Sequence, residues 1–219
     1  YPRAPKPLAY SEDDSVLGTA FFVMEHVNGT VFWDPSLPEL LKAQRSRLYD
    51  EQNRALAALH SVAPGEVGLA DFGRAGSYFA RQRDRWTKQY RASETEHLPD
   101  METLIKWLEQ NEPPDDGRAS LVHGDYRIDN MIFKPDGSQL LAVIDWELST
   151  LGHPFSDLAY QCMQWRFPNH ETMRGLVGVD PPHRGIDEVR LRRSRRLPRR
   201  PRFRRSADRA ADREGLRGE

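Results

Sequence analysis

The sequence has very little cysteine and no long apolar run. Cys162 is the one cysteine among 219 residues, which excludes an internal disulfide framework and a cysteine-based zinc site. It also fits a reducing compartment, so a cytoplasmic location is expected. The longest mostly apolar run, residues 16–24, is less than half of the roughly 20 residues that a membrane helix needs, so no membrane partner is expected. The chain opens on tyrosine, and no signal peptide is predicted.

Lysine is absent from residues 184–219, which hold fourteen arginines and six acidic residues. This segment carries a net charge of +8 and the whole chain −1, which leaves −9 on residues 1–183. It has almost no apolar periodicity, so we predict that it is disordered. Three interpretations stay open: binding of nucleic acid through clustered arginines, a solvated extension without a role, and the product of a shifted reading frame.

The whole chain has 38% hydrophobic and 10% aromatic residues, enough for a folded domain. Residues 1–14 are Pro-rich and predicted to be a linker, and a strand is predicted at 20–27. Helical spacing predicts helices at 39–60, 77–93, 101–112 and 156–164. Short strands are predicted at 120–123, 130–133 and 140–144, and the last two form a β-hairpin. His60 is expected to cap its helix, and four aromatic residues are expected in the core: Tyr78, Phe79, Trp86 and Tyr90.

The stretch that indicates chemistry reads HGDYRIDN at residues 123–130 and IDWE at residues 144–147. Asp125 and Asn130 lie on a loop that leaves a strand, and Asp145 lies at the end of the hairpin. Because a hairpin brings its ends together, the three side chains can meet at one mouth. Oxygen-only ligands of this kind suit Mg²⁺, which also takes phosphate oxygens. The local alternatives are turn hydrogen bonding for Asp125 and Asn130, and an N-cap or a buried ion pair for Asp145.

The order H-G-D-x-x-x-x-N, hairpin, I-D-W-E and a D-L-A helix resembles the aminoglycoside phosphotransferase and choline kinase family. The segments VMEHVNGTVFWDPSLPEL and WTKQYRASET add to the resemblance, which covers about residues 4–180. The amino-acid sequence of these motifs is most similar to phosphotransferase-like domains found alone in bacteria or fused to acyl-CoA dehydrogenases. The resemblance implies an α+β, protein-kinase-like fold. Residues 1–19 would be a linker or remnant of the small lobe, residues 20–183 a partial helical large lobe, and residues 184–219 the arginine-rich tail.

The resemblance also implies ATP-dependent phosphorylation of a small-molecule hydroxyl, with ATP and Mg²⁺ as cofactors. Asp125 would accept the hydroxyl proton, and Arg127 would offset charge on the transferring phosphoryl group. Asn130 and Asp145 would hold Mg²⁺. Structural support would come from His123, Asp157 and Glu147. A metal role stays open for Glu147, and a surface salt bridge stays open for Arg127. The backbone that binds adenine would be that of Met24, Glu25, His26 and Val27.

Several family features are missing from the sequence. The Gly-rich phosphate loop, the strand lysine and the helix glutamate would precede residue 4, and the resemblance ends near residue 180. The chain therefore resembles the middle of such an enzyme, and we expect it to be weakly active or inactive alone. His153 replaces the aspartate of the family's usual Gly-Asp-Pro. Asp71-Phe72-Gly73 spells a kinase metal motif but precedes the HGD loop, so a plain loop is predicted there.

The sequence leaves a second class of function open, a non-catalytic pseudokinase scaffold or an interaction protein with a basic tail. It does not identify the acceptor substrate or the oligomeric state. By analogy with the fused relatives, a hydroxylated acyl thioester is one candidate acceptor.

Overall fold

The computed structural model describes residues 1, 3–74, 76–170 and 174–179, so the predictions for the arginine-rich tail lie outside the described residues. Helices and strands are mixed along this part of the chain, which confirms the predicted α+β class. The first half contains β1 (Pro7–Ser11), α1 (Asp14–Leu17), β2 (Phe21–Met24), α2 (Lys42–His60), α3 (Tyr78–Ser93) and α4 (Pro99–Gln110). The second half contains β3 (Ser120–Val122), β4 (Met131–Phe133), β5 (Leu140–Val143), β6 (Thr150–Gly152) and α5 (Phe155–Met163). Within the described ranges, no helix combines the length and the apolar character that crossing a membrane requires.

The strands form three antiparallel pairs, β1 with β2, β3 with β6, and β4 with β5. The predicted hairpin is confirmed, with Met131 opposite Val143 and a register shift between Ile132 and Phe133. β6 was not predicted; its three residues bring Thr150 opposite Val122 at the end of β3. The Asp71-Phe72-Gly73 segment lies in a loop, as predicted.

The linker prediction is wrong for Pro7–Ser11, which form β1. Pro7 is the first residue of this strand, a position where the missing N–H of proline is tolerated. The residues before it also pack on the domain: the Val143 amide donates to the Arg3 carbonyl at 2.7 Å, and the Tyr1 hydroxyl donates to the Ala55 carbonyl at 3.1 Å. The opening of the chain is therefore attached to β5 and α2.

The main core lies between α2 and the hairpin. α2 buries one face, and Leu48 and Leu56 on that face join a cluster with Phe133, Leu140 and Val143 from β4 and β5. Burial of a side chain of this size contributes roughly 1.5–3 kcal/mol. This packing fixes the hairpin against α2. It thereby also fixes the two candidate site residues at the ends of the hairpin, Asn130 and Asp145.

α3 and α4 pack less tightly than the sequence predicts. None of the described residues of α3 is fully buried: Tyr78, Phe79 and Tyr90 are half-buried, whereas Trp86 is 50% exposed, so the core prediction is wrong for Trp86. A mostly apolar cavity of about 350 Å³ separates α3 from α4. Ion pairs from Arg83 to Glu112 and from Arg91 to Glu102 connect the two segments. The amphipathic pattern indicated the apolar face correctly but not how far it would be covered.

Candidate active site

The loop after β3 turns sharply at Gly124. Its φ of +89° lies in the left-handed region that favours glycine. A Cβ atom at this position would lie 2.5 Å from the Leu148 carbonyl oxygen, well inside van der Waals contact. The loop therefore packs directly against the segment that follows the hairpin, and this close approach requires glycine.

Asp157, near the start of α5, holds this loop by its backbone. Its Oδ2 accepts from the His123 amide and its Oδ1 from the Gly124 amide, both at 2.9 Å, and the residue is buried. His60 Nε2 lies 3.0 Å from the same Oδ2. His60 was predicted to cap α2, but the Ser61 amide closes that end of the helix and the imidazole contacts Asp157 instead. One carboxylate thus connects α2, α5 and the loop.

His123 connects the loop to the end of the hairpin. Its Nε2 lies 2.9 Å from the Ile144 carbonyl, and its Nδ1 accepts from the Asp125 amide at 3.3 Å. The proton must therefore reside on Nε2. Burial lowers the pKa of His123, which keeps the imidazole neutral in this tautomer. The Trp146 ring packs on the imidazole with ring centroids 4.7 Å apart.

Asn130 contacts Asp125 directly. Its Nδ2 donates to Asp125 Oδ2 at 2.8 Å and to the Asp125 carbonyl at 3.0 Å. The amide nitrogen is thus committed to Asp125, and the Asn130 side-chain oxygen accepts no hydrogen bond from the described residues. The other carboxylate oxygen, Asp125 Oδ1, is buried, and no group in the described part of the chain donates a hydrogen bond to it.

Asp145 follows Ile144, the residue whose backbone connects the end of the hairpin to the loop at Asn130. The Ile144 amide donates to the Asn130 carbonyl at 2.9 Å, so the backbone holds Asp145 one residue away from that contact. Asp145 is exposed and has a φ of +66°, which is uncommon for a residue other than glycine. Such backbone strain occurs often at functional sites.

Arg127 forms side-chain contacts with neighbouring carboxylates, whereas Glu147 does not contact a donor. Arg127 Nη2 donates to Asp129 Oδ2 at 2.6 Å, and Arg127 Nε lies 3.6 Å from Asp125 Oδ1. Burial raises the pKa of Asp129, although Arg127 opposes this shift. Glu147, predicted to accept a structural hydrogen bond, is exposed, and within the described ranges no donor reaches its carboxylate.

The predicted adenine-binding segment begins at the last residue of β2 and precedes the contact between Thr30 and the hairpin. The Glu25 amide donates to the Lys6 carbonyl at 2.9 Å, while the backbones of His26 and Val27 make no backbone hydrogen bond among the described residues. Thr30 and Phe133 exchange two backbone hydrogen bonds of 2.8 and 2.9 Å. Gly29 permits this contact, because a Cβ atom there would lie 2.6 Å from the Phe133 carbonyl oxygen.

Sequence reasoning missed one side chain at the site, Tyr160. It lies one helical turn after Asp157 on α5, and both Asp125 and Arg127 shift the pKa of its phenol. Burial, followed by the Asp125 carboxylate, raises the pKa of Tyr160 to about 12. The i, i+3 spacing from Asp157 was the available signal, since it puts both residues on one face of the helix.

Several known proteins are similar to this chain in sequence and fold. Mouse acyl-CoA dehydrogenase family member 10 is 45% identical over 186 residues, which is 84% of this chain but 17% of that protein. The chain spans less than a quarter of the length of the curated relatives it matches. A crystal structure from Ralstonia eutropha, provisionally described as an aminoglycoside phosphotransferase, is 48% identical with a TM-score of 0.79. It covers 88% of this chain, and the chain covers 59% of it.

More distant structures share the fold alone. An aminoglycoside-3'-phosphotransferase of type VIII matches at 19% identity with a TM-score of 0.60, over 91% of this chain and 69% of that one. An ADP-bound 2''-aminoglycoside phosphotransferase matches at 20% identity with a TM-score of 0.53, over 74% of this chain and 53% of that one. The fold is thus the protein-kinase-like α+β fold of these enzymes. The model of the phosphotransferase enzyme family matches residues 2–191, and the chain belongs to that family.

Proposed function

We propose that the chain transfers the γ-phosphoryl group of ATP to a hydroxyl group of a small molecule. The observation that supports this most is the contact between Asn130 Nδ2 and Asp125 Oδ2 at 2.8 Å. It orients a carboxylate and an amide within one loop, beside the hairpin end that bears Asp145. Phosphoryl transfer requires mainly such positioning and charge neutralisation from the protein.

In this proposal Asp125 is the general base. The acceptor hydroxyl donates its proton to the Asp125 carboxylate, which Asn130 orients through Oδ2 and which is partly exposed. A positioned base of this kind contributes about 10²–10⁴ in rate. Arg127, with Nε 3.6 Å from Oδ1, places positive charge where the transferring phosphoryl group develops negative charge.

Asn130 and Asp145 are the proposed metal ligands. The Asn130 side-chain oxygen accepts no hydrogen bond from the described residues, and Asp145 offers an exposed carboxylate. This oxygen-only donor set fits Mg²⁺, which would supply positive charge against the ATP phosphates. The backbone of His26 and Val27 would bind adenine, since it is exposed or half-buried and forms no backbone hydrogen bond in the described structure.

The acceptor class is proposed from the relatives. Curated relatives are named as acyl-CoA dehydrogenase family members, so a hydroxylated acyl thioester is the first acceptor to test. The sequence contains no Gly-rich loop with a following strand lysine. Since loss of a single charge-stabilising donor costs about 10²–10³ in rate, we expect slow turnover from this chain.

The test combines binding and turnover. Radiolabelled ATP with hydroxyacyl thioesters should give a labelled product with the chain as it stands, and Asp125→Ala should abolish it. Asp136→Ala, on the exposed hairpin turn, is the matched control and should leave the rate unchanged. Mg²⁺-dependent ATP binding, measured by calorimetry, should be lost in Asp145→Asn. Labelling that survives in Asp125→Ala, or a chain that does not bind ATP with Mg²⁺, would contradict the proposal.

A further inference from the structure

Two opposite charges at the candidate site lie close together without forming a hydrogen bond. Asp125 Oδ1 and Arg127 Nε are both buried, neither has a hydrogen-bond partner among the described residues, and the two atoms are 3.6 Å apart. A charge-assisted hydrogen bond of this kind is usually about 2.8 Å long, so a small movement of the guanidinium would satisfy both atoms. Because buried polar atoms without partners are costly, another contact must hold the guanidinium away from Asp125.

The Arg127 guanidinium is bound to a different carboxylate, that of Asp129. Its Nη2 donates to Asp129 Oδ2 at 2.6 Å, and the Asp129 side chain is only 15% exposed. A guanidinium is planar and its nitrogens have fixed relative positions, so the bond at Nη2 also restricts where Nε lies relative to Asp125. The Arg127 side chain is 42% exposed, so a bound anion can still reach it.

The backbone of the loop brings Arg127 and Asp129 together. Tyr126 and Ile128 are buried in the core, whereas Arg127 and Asp129 are half-buried, so burial alternates residue by residue. The Arg127 amide donates to the Asp125 carbonyl at 2.9 Å, which keeps the Arg127 backbone close to Asp125. The guanidinium is therefore within reach of both carboxylates, and the two compete for it.

We infer that Asp129 is a positioning residue for Arg127, which it holds off the Asp125 carboxylate. This inference rests on the proposed function, in which Asp125 accepts a proton and Arg127 faces the transferring phosphoryl group. Without the Asp129 charge, Arg127 Nε and Nη2 would close on Asp125 as a two-bond pair, since the fork of an arginine fits a carboxylate. That pair would occupy the general base and hold the guanidinium away from the phosphoryl group.

The kinetic test is Asp129→Asn, which keeps the size of the side chain and removes its charge. Because a charge-assisted hydrogen bond is about twice as strong as a neutral one, the guanidinium should then prefer Asp125. We expect kcat to fall about tenfold while the KM for ATP is unchanged. The matched control is Asp116→Asn, because Asp116 accepts from the Nε of Arg118, also two residues further on, at 2.7 Å. This control should leave kcat unchanged.

A double-mutant cycle separates positioning from a merely structural role. Arg127→Ala alone should lower kcat by about 10²–10³, the usual effect of the loss of a charge-stabilising donor. If Asp129 acts through Arg127, the addition of Asp129→Asn to Arg127→Ala should cause no further loss. Losses that multiply in the double variant, an unchanged kcat in Asp129→Asn alone, or an equal loss in Asp116→Asn would overturn the inference.

A spectroscopic test needs no turnover, so it distinguishes failure of this inference from failure of the proposed function. In a ¹⁵N NMR spectrum of the arginine Nε–H groups, Arg127→Lys identifies the Arg127 signal. In Asp129→Asn the Arg127 Nε proton should shift downfield, because it gains the hydrogen bond to Asp125 that it lacks at 3.6 Å. The shift should be lost when Asp125→Ala is added.

The two outcomes of the spectroscopic test have different consequences. An unchanged Arg127 signal in Asp129→Asn would refute the inference even in an active protein. The expected shift in a chain without turnover would support the hold of Asp129 on Arg127 and count against the proposed function alone.

Discussion

Replacement of Asp157 by asparagine should destabilise the fold strongly, although the two side chains have the same shape. Asp157 is buried, and its two oxygens accept from the His123 and Gly124 amides and face His60 Nε2. An amide has one oxygen, so at least one backbone N–H would face an NH₂ group. The lost charge-assisted hydrogen bond costs about 1.5–3 kcal/mol, and the unsatisfied donor costs about 1–3 kcal/mol. We therefore expect a loss of about 3 kcal/mol from a total of roughly 5–15 kcal/mol.

Urea denaturation measures this loss. With a slope of about 2 kcal/mol/M, the midpoint of Asp157→Asn should fall by roughly 1.5 M. Tryptophan fluorescence, which sums the signal of Trp146 on His123 and of four other tryptophans, and far-UV circular dichroism both follow the unfolding of the domain. Asp136→Asn is the control, because Asp136 also accepts a backbone hydrogen bond, from Ser138 at 3.0 Å, but on an exposed turn. Equal midpoints for the two variants would refute the argument that Asp157 holds the loop.

Three further predictions concern the same loop. Gly124→Ala should lower the free energy of unfolding by about 2–4 kcal/mol, since the φ of Gly124 is +89° and the Leu148 carbonyl leaves no room for a Cβ atom. Urea titrations measure this change, and an unchanged midpoint would contradict the close contact. Burial lowers the folded-state pKa of His123, so the unfolded chain binds more protons and stability should fall as the pH drops through about 6.5. Three carboxylates oppose this shift: Asp157, Asp125 and Asp145. His123→Gln should flatten the pH dependence between pH 7 and 5, and an equal slope in both proteins would contradict it. Asn130→Asp should lower the free energy of unfolding by about 1–3 kcal/mol, because a second carboxylate would replace the donor 2.8 Å from Asp125. Urea midpoints that do not differ between the two proteins would show that this contact is unimportant.

Local patterns predicted the hairpin and the helices well, because each has its own periodicity. The hairpin was expected at 131–144 and extends from Met131 to Val143, and the helix expected at 39–60 begins at Lys42. The order of loop, hairpin and following helix was also enough to indicate Asp125, Asn130 and Asp145. The structure shows the contact between the first two, and the metal role of Asn130 and Asp145 stays a prediction.

Features that depend on distant partners were not predictable in this way. β6 has three residues, too few to show a period, and it exists because β3 offers an edge. β1 was hidden by Pro7 and by the prolines that precede it, although β2 supplies the partner strand. The contact between His60 and Asp157 joins residues 97 positions apart, and nothing near His60 in the sequence indicates it. The exposure of Trp86 was missed because helical spacing identifies an apolar face without saying what covers it.

The paired backbone hydrogen bonds between Thr30 and Phe133 have a mechanical consequence. They extend the sheet of β4 and β5 by one residue from the segment after β2, so that Thr30 moves with the hairpin. Since Tyr1 and Arg3 are also attached to α2 and β5, any swing of β1 and β2 relative to the helices must pivot on both connections, within residues 4–6 and 25–29. The distance between the Thr30–Phe133 contact and Asn130 is set by the hairpin alone. The adenine end and the triphosphate end of a bound nucleotide would therefore meet parts of the protein that are held at a fixed distance from each other.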